Sequence, residues 1–177
     1  MKSGSFYEGE WKNGFRHGKG KHTWPDGTFY EGNWEQDEAQ GFGKIMHFKG
    51  DFYEGEWKED KANGKGTYLS NNQGIKYIGE WVDDLQDGKG IIYFQNGTQF
   101  QGVFQQGFIS EKGTILFYDG SSYLGEFKDN QISGYGEYKW KDGKIYKGYW
   151  ENNKINGKQN LFLFFAILII NVCLVEK

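Results

Sequence analysis

Three histidines, His17, His22 and His47, are the residues best suited to hold a transition metal, and Cys173 is the single thiol. A zinc site draws on His and Cys at short, regular spacing. These histidines fall at different depths of the surrounding pattern with no Cys beside them, so no metal is expected. Gly18-Lys19-Gly20 could offer backbone N–H groups to a phosphate, but a phosphate loop opens a helix and none is signalled here. Gly41-Phe42-Gly43-Lys44-Ile45 has the aromatic-on-strand character of an RNA-binding surface, yet the same slot elsewhere in the chain lacks that composition. Asp83, Asp87 and Gly88 mimic part of a calcium loop, with Leu85 where a ligand is required. Asn96-Gly97-Thr98 spells a glycosylation acceptor inside what reads as a tight turn. There is no Gly-x-x-x-x-Gly-Lys-Ser/Thr loop, Gly-x-Ser-x-Gly elbow or zincin motif. The expectation is a non-enzyme, with no cofactor, no metal and no small-molecule substrate.

Composition narrows the class. The 177 residues include 28 Gly and a single Pro, with 7 Trp, 12 Tyr and 15 Phe. Glycine-rich disordered chains lack aromatics; here each buried ring can remove roughly 150–250 Å² from water. Branched aliphatics are scarce before residue 160, so burial must set aromatic side chains against glycine. The net charge of −3, from 21 basic and 24 acidic side chains well mixed along the chain, argues against nucleic acid, which calls for a basic face. One cysteine forms no internal disulfide, and the first residues, Met1-Lys2-Ser3-Gly4-Ser5-Phe6, lack the apolar core of a signal peptide. A cytoplasmic protein is expected.

A period of about 23 residues organises everything else. An aromatic, a glycine two residues on and a second aromatic two further recur seven times: Tyr7-Gly9-Trp11, Tyr30-Gly32-Trp34, Tyr53-Gly55-Trp57, Tyr77-Gly79-Trp81, Phe100-Gly102-Phe104, Tyr123-Gly125-Phe127 and Tyr146-Gly148-Trp150. A second glycine pair keeps step at Gly18/Gly20, Gly41/Gly43, Gly64/Gly66, Gly88/Gly90 and Gly134/Gly136, degenerating to Glu111/Gly113 and Gly157/Gln159. A turn glycine completes each unit, as in Asp26-Gly27, Asn96-Gly97, Asp119-Gly120 and Asp142-Gly143. The one extra residue falls at Ser70-Asn71-Asn72-Gln73, in a turn, where insertion is cheapest.

Side chains at i, i+2 and i+4 of a strand share a face, so Tyr7, Gly9 and Trp11 point one way and Glu8 and Glu10 the other. Polar segments such as Lys12-Asn13-Gly14-Phe15-Arg16-His17 separate the two runs of a unit. Asp-Gly and Asn-Gly steps signal turns because both residues accept positive φ. Each unit therefore reads as a β-hairpin and the chain as an all-β, elongated, twisted, single-layer antiparallel meander of about 14 strands. Glycine weakens a strand by about 0.5–1 kcal/mol against alanine; its use here is to leave room for a ring laid over the neighbouring backbone. The charged positions Glu8, Glu10, Lys12, Glu54, Glu56 and Lys58 read as a solvated face. The stripe of Tyr, Trp and Phe holds the sheet together, and any uncovered part is a groove for a partner peptide or helix.

Tyr7-Glu8-Gly9-Glu10-Trp11-Lys12-Asn13-Gly14, then His17-Gly18-Lys19-Gly20 and Pro25-Asp26-Gly27, closely resemble the MORN repeat, and the resemblance runs from residue 2 to about 158. Phe100, Phe104, Glu111 and Gln159 depart from it. The resemblance implies a ribbon-like single sheet without activity of its own, and protein partners in cytoskeletal, ciliary or membrane-junction assemblies, often as a homodimer. MORN repeats also accompany phosphatidylinositol phosphate kinases, which leaves an accessory part of such a protein as a further reading, although no kinase segment is present.

The repeat array is placed at 2–160 and a separate apolar segment at 161–177. The strand at 6–11 reads as a sheet edge, to which a partner strand could add. Residues 161–170 are ten consecutive apolar residues. They read in three ways: as closure of the last hairpin, as a membrane tail anchor contacting lipid, or as an end without a role. As a helix, 15 residues span about 22 Å against a hydrocarbon core of about 30 Å.

Overall fold

A computed structural model describes residues 4–156. The fold class is all-β, with no helix among the described residues. Fourteen strands follow one another: β1 Phe6–Lys12, β2 Phe15–Thr23, β3 Phe29–Glu35, β4 Glu38–Met46, β5 Phe52–Lys58, β6 Lys61–Ser70, β7 Ile75–Val82, β8 Leu85–Phe94, β9 Gln99–Gln105, β10 Phe108–Leu116, β11 Ser122–Lys128, β12 Gln131–Lys139, β13 Ile145–Glu151 and β14 Lys154–Ile155. The chain divides into two compact units, one up to Leu85 and one from Gln86. In the first, β1 to β7 lie side by side in chain order, each antiparallel to the next; in the second, β8 to β14 do the same. The reading of residues 161–177 lies outside the described residues.

Two kinds of turn alternate. Within a hairpin the connection is only two residues, so the polar segment read as a linker is strand on both sides of Asn13-Gly14. Both turn residues have positive φ throughout: Asn13 and Gly14 at 54° and 83°, Gln36 and Asp37 at 50° and 71°, Glu59 and Asp60 at 51° and 63°. That is the geometry of a turn whose twist matches right-handed strands. Between hairpins the expected turn glycines take over. Gly27 N donates to Trp24 O at 3.0 Å and Trp24 N to Thr28 O at 2.8 Å, with repeats at Phe94–Thr98, Phe117–Ser121 and Trp140–Lys144. Asp26, Asn96 and Asp119 each accept the backbone N–H two residues on, the local bond that suits Asx side chains to turns. This occupies the amide oxygen of Asn96. The inserted residue sits in the turn after Ser70, where Asn71 N donates to Asp51 Oδ1 at 2.8 Å.

The second strand of most hairpins carries a bulge. Gly9 faces Gly20 while Trp11 faces Arg16, and the same shift recurs at Gly32/Trp34, Gly55/Trp57 and Gly125/Phe127. An irregularity conserved in register between hairpins is a structural device, re-aiming side chains without ending the ladder.

Candidate functional site

The aromatic stripe is assembled ring by ring. Tyr7, Tyr30, Tyr53 and Tyr123 each lie over the glycine pair of their own hairpin. A Cβ added at Gly20 would sit 2.1 Å from Tyr7 Oη, one at Gly43 would sit 2.2 Å from Tyr30 Oη, and one at Gly66 would sit 2.4 Å from Tyr53 Oη. The absence of a side chain is what admits the ring. Its hydroxyl then donates to the carbonyl three residues along, Tyr30 to Asn33, Tyr53 to Glu56 and Tyr123 to Glu126 at 2.9–3.1 Å. Burial pushes these three phenols well above the ordinary tyrosine range, so they are neutral donors at any physiological pH.

The second-position aromatic stands edge-on between two such rings. Trp57 meets Tyr53 at 5.2 Å and Tyr30 at 5.1 Å, Trp81 meets Tyr77 and Tyr53 at 5.1 Å each, and Phe127 meets Tyr123 at 5.4 Å and Phe100 at 5.2 Å. Edge-to-face pairs of this kind are worth about 0.5–1.5 kcal/mol beyond burial. The indoles of Trp34, Trp57 and Trp81 also donate to the carbonyls of Gly20, Gly43 and Gly66. Tryptophan thus stacks on tyrosine rather than lying on glycine. Of the stripe, Tyr30, Trp34, Tyr53, Trp57, Tyr77, Trp81, Phe100, Phe104, Tyr123, Phe127 and Trp150 are buried. Tyr7 and Tyr146 are half-buried, and Trp11 is 60% exposed. Most of these rings form the core, and within the stripe the exposed one is Trp11 of the first strand; Phe42, Phe48, Tyr118 and Tyr149, outside the stripe, are exposed as well.

Polar side chains read as a solvated face hold this frame. Glu10 Oε1 accepts Lys19 N at 2.9 Å, Glu56 accepts Lys65 N and Glu126 accepts Tyr135 N, each carboxylate closing the bulge of its own hairpin. The carboxylate occupies the space beside Gly18, Gly64 and Gly134, which all have positive φ. A second device ties one hairpin to the one before. Asp37, Asp60, Asp84, Asn130 and Asn153, each the second turn residue, accept the backbone N–H of Arg16, Ala39, Ala62, Ile109 and Ile132 at 2.7–2.8 Å. Their own amides donate back to the same residues at 2.9–3.2 Å. No sequence signal separates these clamps from ordinary turn polars; a hydrogen-bond acceptor recurring at the second turn position is the only trace.

Around Arg16 the pattern changes. Where later units place Ala39, Ala62, Ile109 and Ile132, the first has arginine. Its guanidinium lies 4.1 Å from the Trp34 ring, pairs with Asp37 Oδ1 at 3.1 Å and approaches His22 Nδ1 at 3.3 Å. A cavity of about 290 Å³ opens beside it, lined by His22, Trp24, Tyr30, Ala39 and Trp57 among others. Burial first, and the Arg16 charge second, hold His22 below the ordinary histidine value. The backbone N–H of Arg16, followed by its side chain, holds Asp37 below the usual carboxylate range. Asp84 moves the other way, because its own burial outweighs the bond from Ala62.

Three further positions break the rules. In the fifth hairpin Val103 stands where glutamate closes the bulge, and Glu111 takes the glycine slot at φ 60°, its carboxylate accepting from Gln105. Gln86 fills the slot of Ala62 and Ile109, 1% exposed, with neither side-chain amide atom bonded among the described residues.

A profile of the MORN repeat matches residues 7–29, 30–52, 53–75, 77–99, 100–122, 123–145 and 146–158. The chain belongs to the MORN repeat family. The seven matched units begin at the residues where the aromatic period places them. Among solved structures, the chain is similar to the TCP domain of SAS-4 (dCPAP) of Drosophila melanogaster, determined in complex with a proline-rich motif of Ana2 (dSTIL). Identity is 15%, with a TM-score of 0.49, over 75% of this chain and 73% of that one. A search of curated proteins found no match. Among the described residues no group of three or more His, Cys, Asp or Glu is placed to hold a metal ion. Gly18-Lys19-Gly20 is the bulge, and Gly41-Phe42-Gly43 is its equivalent, with Phe42 57% exposed on the outer face.

Proposed function

We propose that this MORN protein is a non-catalytic scaffold that binds protein partners in a cytoskeletal or ciliary assembly. One observation carries the reading: among the described residues, the recurring tyrosine, glutamate and aspartate side chains of the repeat are committed to the chain's own backbone. Tyrosine hydroxyls bond carbonyls, glutamates close bulges and aspartates clamp neighbouring hairpins. What is left to offer is surface, repeated at a fixed spacing, and repeat arrays use such surface for binding. Proximity labelling from a tagged copy in cells, followed by capture with purified chain, tests the proposal. Enrichment of cytoskeletal or ciliary proteins supports it, and their absence from both experiments removes it.

A membrane-tethering role is favoured by a separate observation, the apolar run at 161–170. No helix among the described residues is long and apolar enough to cross a membrane. Flotation with anionic liposomes, with and without residues 161–177, tests this role; failure of the full chain to float removes it.

A further inference from the structure

β1 and β5 are the same heptapeptide, Phe-Tyr-Glu-Gly-Glu-Trp-Lys. β5 lies between β4 and β6, whereas among the described residues β1 pairs with β2 alone. Because the residues are identical, any difference between the two strands reports what a neighbour on the far side supplies. Trp57 is 4% exposed and Trp11 60%. Trp57 Nε1 donates to Gly43 O of β4 at 3.0 Å, and its ring is held between Tyr53 and Tyr30. Among the described residues, the ring that Trp11 meets is Tyr7 of its own strand, at 5.1 Å.

Charge tells the same story. Lys44 of β4 faces Glu54 and pairs with it at 3.3 Å. Glu8 is the counterpart of Glu54, and its cross-strand neighbour Lys21 is turned to Glu31 at 3.6 Å. Among the described residues, no lysine is paired with Glu8 as Lys44 is paired with Glu54.

We propose that the outer edge of β1 from Tyr7 to Trp11, which faces no strand among the described residues, is a docking site for an extended, lysine-bearing strand of a partner protein, added antiparallel in the register that β4 takes on β5. A glycine then lies opposite Gly9, a lysine opposite Glu8 and an apolar residue opposite Tyr7, with the glycine carbonyl accepting the Trp11 indole N–H. Strand addition draws affinity from main-chain bonds and specificity from the alternate side chains. A second copy of the chain fits less well. Two β1 edges run antiparallel about Gly9 would set Glu8 against Glu10 twice, and like charges directly opposite are destabilising.

The site rests on the reading of the chain as a protein-binding scaffold, but its test addresses the edge alone. A fluorescently labelled peptide of residues 38–46, the native β4 strand, is titrated with the full-length protein and followed by anisotropy. Saturable binding is expected. It should weaken about tenfold with Glu8→Lys in the protein or Lys44→Glu in the peptide, and recover when the two reversed partners are combined. Trp11→Ala should weaken binding as well, and circular dichroism verifies that each variant folds. No binding at millimolar peptide, or binding indifferent to Glu8 and Trp11, overturns the proposal. So does light scattering that shows a dimer which Trp11→Ala converts to monomer, because the edge would then belong to a second copy. If the peptide fails while cytoskeletal partners are captured, the edge site falls and the scaffold reading stands; the opposite pattern separates them the other way.

Discussion

At the scale of single residues, the same side-chain type does different work according to which backbone group lies within reach. Asp60 shows this best: as the second turn residue it stands beside Lys61, but its carboxylate is spent on Ala39 N at 2.7 Å. Asp60→Ala should cost about 1–3 kcal/mol in urea unfolding, the penalty for orphaning a buried donor. Asp60→Asn should stay within about 0.5 kcal/mol, because Asn130 and Asn153 already fill the role. Equal losses from both substitutions would show that charge, not the acceptor oxygen, matters. His22 carries the pH signature. Its folded pKa lies below the ordinary 6.5, so the fold favours the neutral ring. The unfolded chain takes up the proton first, and this contribution to stability is present above about pH 6.5 and is lost as pH falls through the folded value. Thermal midpoints measured between pH 7.5 and 5.5 should therefore fall more for the wild type than for His22→Ile, which copies the residue at Ile45. Parallel curves would discard the burial of His22 beside Arg16 as the cause.

At the scale of the hairpin, two independent constraints meet at one bulge. Glutamate supplies the oxygen that caps the bulge N–H, and glycine leaves the space for that carboxylate and tolerates the positive φ. In the fifth hairpin both change together, with Val103 removing the carboxylate and Glu111 filling the vacated space at φ 60°. The left-handed conformation costs a residue with a Cβ about 1–2 kcal/mol. Glu111→Gly should accordingly stabilise the protein by roughly 1 kcal/mol, and Val103→Glu should be tolerated only in its company. Chemical denaturation of the two single variants and the double variant measures this coupling; additive effects would mean that the bulges are built independently. This exchange was half visible in the sequence, where Glu111 stands out as a departure. Val103 passed unnoticed because nothing in a lone valine announces a missing oxygen. The two-residue turns were hidden for a related reason: Gln36-Asp37 and Glu59-Asp60 are poor candidates for paired positive φ by propensity alone. The clamp from Asp37 or Asp60 to the preceding hairpin offsets the strain.

At the scale of the molecule, protection should follow neighbour count. β5 has a strand on either side and buries Tyr53 completely, whereas among the described residues β1 and the two-residue β14 each have one neighbour. Hydrogen exchange should be fastest in β1 and β14 and slowest in β5 and β6, as local stability in repeat arrays tracks stacking. Uniform protection would instead mark one indivisible cooperative unit. The period of the aromatics and glycines in the sequence was enough to determine the family, the strand count, the seven unit starts and the tyrosine-over-glycine contact, because a ring and a missing Cβ constrain each other locally and alternate at the strand period. What only the tertiary structure decided is which rings are core and which are surface, where each carboxylate goes, and that Trp11 and Trp57 have opposite exposures in the same heptapeptide. The physical reason is that these properties belong to the neighbouring strand, 9 to 22 residues away along the chain, and no residue carries the identity of its neighbour in its own side chain.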